Sequence, residues 1–171
     1  MKAALIVFAV VAAMCSHGAF AQDVEERFDF KGIKLGTPLA EVRAAASLHC
    51  SAGASTQFDT ICMYKNKADK TYAGLPAQDI MFGFFADRLD SVIVLTKGAD
   101  YEAIKSALDS KFGEVTAGPG LAGVATYMRN GDRIHVLWSD GQTMVRYEAA
   151  AGVGERAKRA EPGKVKRNKD M

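Results

Sequence analysis

The chain has 171 residues, with 22 Lys and Arg against 20 Asp and Glu and a formal charge of +2, a size that suits one domain. Its 49% hydrophobic and 25% charged content supports a buried core and excludes global disorder. Three Cys and three His are too few for a multi-ligand zinc module, and the chain is too short and polar for several membrane spans.

Residues 1–21 read as an export leader to be removed near Ala21. Lys2 supplies the positive start, Ala3 to Met14 the apolar run, and Ala19-Phe20-Ala21 the cleavage site. The run is shorter than the roughly 17–25 residues of a membrane span. Met14 and Ala12 stand where a lipobox around Cys15 would need a small residue and a leucine, so lipidation is not expected. The predicted destination is the periplasm, or the exterior. Only Cys50 and Cys62 then remain, and an even pair in an oxidising compartment predicts one disulfide. Eleven residues intervene, unlike the two of reactive dithiols, so the bridge reads as structural.

The predicted domain covers 22–148. Phe28, Phe30 and Ile33 suggest a first strand, ended by Gly36-Thr37-Pro38. Thr37 is placed to cap a short helix with Pro38 at its first position, and Leu39, Val42 and Ala46 recur at helical spacing. Residues 48–70, rich in Ser, Gly, Asn and Lys, read as a polar loop stapled by the disulfide. Lys70 to Pro76 reads as a short broken strand. Asp79 to Phe85 and Leu89 to Thr96 read as a hairpin around Ala86-Asp87-Arg88. Ile80, Phe82 and Phe84 share one face of it, and Leu89, Ile93 and Leu95 share one face of the second strand. Both faces are apolar, which predicts a covered or central hairpin.

Tyr101, Ile104, Leu108 and Phe112 form the stripe of a helix, with Asp100 as its predicted cap and Gly113 as its left-handed stop. Asn130-Gly131 and Asp140-Gly141 are type I′ turn pairs. They predict a meander over roughly 125–129, 133–139 and 142–148, with Ile134, Val136 and Trp138 on one face. Phe82, Phe84, Phe112 and Trp138 take core-like positions, and Met81 and Met144 read as core filler.

The stretch 149–171 carries seven basic against three acidic residues, with three glycines and one proline. It reads as a basic, solvated tail that can touch an anionic surface, with neither the apolar face of a membrane helix nor the interleaved aromatics of a nucleic-acid arm. No nucleic-acid partner and no transmembrane segment beyond the leader are expected.

These elements predict an α+β fold, a largely antiparallel sheet with two short helices. The segments starting at Gly36 and Gly98 share a Gly-then-helix layout, which raises an internally duplicated helix-plus-sheet unit.

The search for chemistry gives no catalytic, cofactor or metal residues. Nucleophile elbow, P-loop, dinucleotide fingerprint and zincin helix are absent from the sequence. His135 falls mid-strand, facing away from Ile134 and Val136, and His49 abuts Cys50. Asp87 with Asp90, and Asp132 with Asp140, could pair as acid and base, but turn chemistry already accounts for aspartate at such places.

Phe30-Lys-Gly-Ile-Lys-Leu-Gly-Thr-Pro-Leu-Ala-Glu-Val42 resembles the entry to the first helix in small exported bacterial modules. These are the SmpA/OmlA-type outer-membrane assembly lipoproteins and the β-lactamase-inhibitor-protein type. The resemblance implies a helix-plus-antiparallel-sheet unit and protein binding without catalysis, and it transfers no functional residue. Gln22 stands where the lipoproteins carry their lipidated cysteine, which leaves membrane anchoring in doubt.

The expected function is therefore that of an exported, non-catalytic protein binding another protein or a cell-envelope component. The alternative is a small periplasmic hydrolase with a site built from dispersed Asp and His residues. An open apolar sheet face would favour binding. A cleft holding His135 within hydrogen-bond reach of a carboxylate would favour the enzyme.

Overall fold

The computed structural model describes residues 27–53, 57–115 and 123–160. The predicted leader, 1–21, and the last stretch of the predicted tail, 161–171, lie outside the described residues.

The entry is a small hairpin, β1 (Asp29–Phe30) and β2 (Ile33–Lys34). Lys31 and Gly32 both take positive φ, 51° and 81°, and this tight turn splits the expected single strand in two. Helix α1 (Leu39–Ala45) follows. Thr37 does not cap it, because its hydroxyl donates to the Lys34 carbonyl at 2.7 Å, and Pro38 precedes the first helical residue. The Leu39 N–H instead donates to the Asp87 carbonyl at 2.8 Å, which ties the start of the helix to a distant turn.

The expected loop at 48–70 contains two strands, β3 (Leu48–Ala52) and β4 (Thr60–Tyr64). Cys50 and Cys62 face each other across this pair and form the disulfide. Polar composition hid the strands; alternation survives on one side only, with Leu48 and Cys62 buried and His49 and Ser51 exposed. A second small hairpin, β5 (Thr71–Tyr72) and β6 (Leu75–Pro76), leads into β7 (Asp79–Phe85) and β8 (Arg88–Lys97).

The β7–β8 register shifts at Gly83/Phe84, so that Leu89 pairs with Phe84 while Val92 pairs with Phe82. Asp90 is the extra residue of this bulge. It returns Leu89 to the face of Val92 and Val94, not that of Ile93 and Leu95, because one added residue reverses the alternation. All three of Leu89, Val92 and Val94 are fully buried.

A single 3-10 turn at Gly98–Asp100 opens α2 (Tyr101–Phe112), and the Asp100 side chain makes no cap hydrogen bond. Gly113 ends the helix at φ 87°, ψ −178°, a positive-φ stop that is extended, not left-handed helical. The meander follows as β9 (Val124–Arg129), β10 (Asp132–Ser139) and β11 (Gln142–Glu148). Its turns have positive φ at Asn130, Gly131, Asp140 and Gly141, as a type I′ geometry requires.

Helix α3 (Ala150–Ala160) occupies the first half of the segment expected to be a solvated tail. Two carboxylates from the sheet hold its first turn. Asp132, fully buried, accepts from the Ala150 N–H at 2.9 Å and from Arg27 at 3.2 Å. The Asp90 carboxylate rests against Gly152, where any side chain would collide with it. Negative groups at a helix N-terminus offset its unpaired N–H groups, which composition alone could not foretell.

Seven strands make one antiparallel sheet in the order β3-β4-β7-β8-β11-β10-β9. Each of α1 and α2 is followed by strands that start at one edge of the sheet and work inward to the β8–β11 centre. The fold is α+β, as the pattern of elements implies.

The core lies on one face only. Val42 of α1 and Ile104 and Leu108 of α2 pack with Ile80, Phe82, Val92, Val136 and Val145. Phe30 is its centre, stacked on Tyr72 and edge-on to Phe82 and Tyr147; burying such a side chain contributes about 1.5–3 kcal/mol. Trp138, on the same side as Ile134 and Val136, lies past the end of this core and is 51% exposed. It was expected inside. Alternation sets its side of the sheet but not how far the helices reach.

Candidate functional site

The Asp140-Gly141 turn fixes Ser139 opposite Gln142, and counting back from it sets His135 against Arg146 and Arg133 against Glu148. All four side chains project from the face away from the core, since Ile134, Val136, Val145 and Tyr147 between them are buried. Thr126 of β9 stands opposite His135 on the other side.

His135 Nδ1 lies 3.1 Å from the Thr126 hydroxyl, and its Nε2 lies 3.4 Å from Glu148 Oε2. Arg146 donates to the other oxygen, Glu148 Oε1, at 2.8 Å. The Glu148 carboxyl is held below the usual range, first by its hydrogen bond with His135, against the opposing effect of burial. The charges of Arg146, His135 and Arg133 add to the depression. The result is a charged network on β10 and β11 with two guanidiniums and one imidazole around one carboxylate.

The same face carries an apolar field beside this network. Met63, Met81 and Ile93 form one cross-strand row that continues into Arg146 and His135. Leu95, Met144 and Leu137 form the next row. These six side chains are partly exposed, and none belongs to the core or packs against it. Met81 and Met144, expected as core filler, therefore lie on the opposite face. Phe58 folds over this face, its ring 2.5 Å from where a side chain at Gly83 would begin. Ala86 N–H donates to the Asp59 carboxylate at 2.9 Å, which helps hold the Phe58 loop in place.

A hydroxyl, an imidazole and a carboxylate in line are the parts of a nucleophilic relay. Here they lie on an open sheet face. Five cavities among the described residues are lined elsewhere. Such chemistry needs a pocket that orients substrate and excludes water. Moreover, Glu148 is engaged by Arg146 as well as by the imidazole.

The other candidates are not brought together. His49 is exposed on β3 beside the disulfide. Asp87 is exposed in the β7–β8 turn while Asp90 is buried in the bulge. Asp132 and Asp140 stand at opposite ends of β10, the first buried under α3 and the second exposed. Among the described residues no group of three or more His, Cys, Asp or Glu could hold a metal ion, and no helix is long and apolar enough to cross a membrane.

Sequence reasoning singled out His135 but missed Glu148, Arg146 and Arg133 as its neighbours. The signal was present, because a two-residue turn fixes every cross-strand pair of its hairpin. No protein-family model matches the chain, and neither a curated protein nor a solved structure matches it.

Proposed function

We propose that this chain is an exported periplasmic protein that binds another protein or a cell-envelope component, without a catalytic step, through the bare face of its seven-stranded sheet. One observation carries the reading: a contiguous, partly exposed apolar field on β4, β7, β8, β11 and β10, opposite the face that the helices pack against. Contiguous apolar surface beside polar groups is the usual mark of an interaction site. The leader-like start of the sequence supports export, and the Cys50–Cys62 bridge suits an oxidising compartment.

The test is site-specific photo-crosslinking in the host cell. A crosslinker at Ile93, mid-field, should capture a discrete envelope partner. One at Glu102, exposed on α2, should not. Equal capture from both positions, or none from Ile93, sinks the reading. The mass of the exported form should correspond to a chain beginning at Gln22.

The Thr126–His135–Glu148 line keeps one second reading in play, that of a small hydrolase. It predicts turnover of an activated ester that His135→Ala abolishes while the fold remains intact. Turnover unchanged in that variant rejects it.

A further inference from the structure

The bare face is unevenly charged, and the unevenness identifies its occupant. Toward β9 it holds Arg133, Arg146 and His135 around the single carboxylate of Glu148. Toward β4 it holds Met63, Met81 and Ile93. The columns of Met81 and Arg146 are separated by one strand, β8, hence by roughly 10 Å. Any partner covering both halves must bring apolar side chains and negative charge at about that separation.

A second copy of this chain is a poor match. Among the described residues, the carboxylates that its strands offer on the same face are Glu148, whose two oxygens already meet Arg146 and His135, and Asp79, paired with Lys70 at 2.6 Å. It would add two more guanidiniums. A lipid chain is also a poor match, since it gains most from an enclosed apolar cavity, and this surface is an open pleated sheet.

We propose that the occupant is a segment of another polypeptide that presents large apolar residues and Asp or Glu on one and the same face, roughly 10 Å apart. Its apolar side chains lie over Met63, Met81, Ile93 and Leu95, and its carboxylates over Arg133 and Arg146. This rests on the reading of the bare face as the binding surface. Arginine suits the task because its planar fork takes a carboxylate bidentately. The thioether side chains of Met63, Met81 and Met144 adapt to the shape laid on them.

The test selects displayed short random peptides on the purified chain with its disulfide intact. Selected peptides are then titrated while the methionine methyl signals are followed by NMR. The expected result is enrichment of acidic, apolar-rich peptides that shift the Met63, Met81 and Met144 methyls. Their affinity should fall at least about tenfold in the Arg133→Glu, Arg146→Glu double variant, as expected for reversed charges at an interface. Enrichment of basic or uncharged peptides that shift the same methyls overturns the acidic partner and leaves the surface standing. Peptides that bind without moving those methyls, or no enrichment at all, overturn both. Vesicles containing phosphatidylglycerol that shift the methyls where peptides do not would replace the polypeptide by a lipid surface.

Discussion

Asp132 and Ala150 are eighteen positions apart, yet the carboxylate of one accepts the backbone N–H of the other at 2.9 Å. The bond joins the first residue of β10 to the first residue of α3, across the whole β10–β11 hairpin. Arg27 closes the group from the N-terminal side at 3.2 Å.

Asp132→Ala should therefore cost about 1–3 kcal/mol, the range for leaving a buried hydrogen-bonding group without its partner. Urea unfolding measures the loss. Amide exchange should show α3 losing protection before the sheet does. Asp132→Asn keeps an acceptor for Ala150 and should lose less. Unchanged α3 protection in the alanine variant would show that the helix is held by other contacts.

Replacing Cys50 and Cys62 by Ser should lower stability by about 2–4 kcal/mol. The pair closes a loop of sequence separation 12, for which loss of chain entropy in the unfolded state is worth about 3 kcal/mol. Identical urea midpoints with and without reductant would contradict a structural bridge.

Alkaline pH should weaken the core through its tyrosines. Tyr72 and Tyr147 share a buried hydrogen bond at 2.9 Å. Burial pushes the Tyr72 phenol up from 10.0 to about 12, partly opposed by its hydrogen bond to Tyr147. The folded state then holds a proton that the unfolded state releases. The stabilisation is complete below pH 10 and is lost as pH rises toward 12. Urea midpoints should fall across that window, and the Tyr72→Phe, Tyr147→Phe double variant should flatten this part of the decline.

His135 should be visible in the titration of its neighbour. In His135→Ala the Glu148 carboxyl loses the largest contribution to its depression, so its NMR titration should move up toward the ordinary 4.5. Because the folded-state value is lowered, Glu148 stabilises the fold above that pH, and the contribution disappears as acid protonates it. A Glu148 titration unchanged in the variant would mean that Arg146 and Arg133 set it without the imidazole.

The parts of this fold legible in the sequence are those fixed by local chemistry. Asn130-Gly131 and Asp140-Gly141 set the meander because few other pairs accept two positive φ values in succession. The Ile104–Leu108 stripe sets α2. What stayed hidden depends on distant partners. The strands at Leu48–Ala52 and Thr60–Tyr64 take their order from β7 and the disulfide, not from their own residues. Helix α3 takes its anchor from Asp132 and Asp90, and the exposure of Trp138 is decided by where the core ends. The charged network was half legible: His135 stood out by residue type, whereas Glu148 and Arg146 become its neighbours only through the register.

The position of the disulfide has a further consequence. Among the described residues β3 is an outermost strand of the large sheet, paired with β4 on one side, and such a strand can be exchanged for that of another molecule. The Cys50–Cys62 bond ties it to its inner neighbour residue for residue. Neither sliding along β4 nor departure to a neighbouring molecule is then open to it. In an oxidising compartment the strand is thus kept in register and in its own molecule, and reduction of the bond removes that restraint.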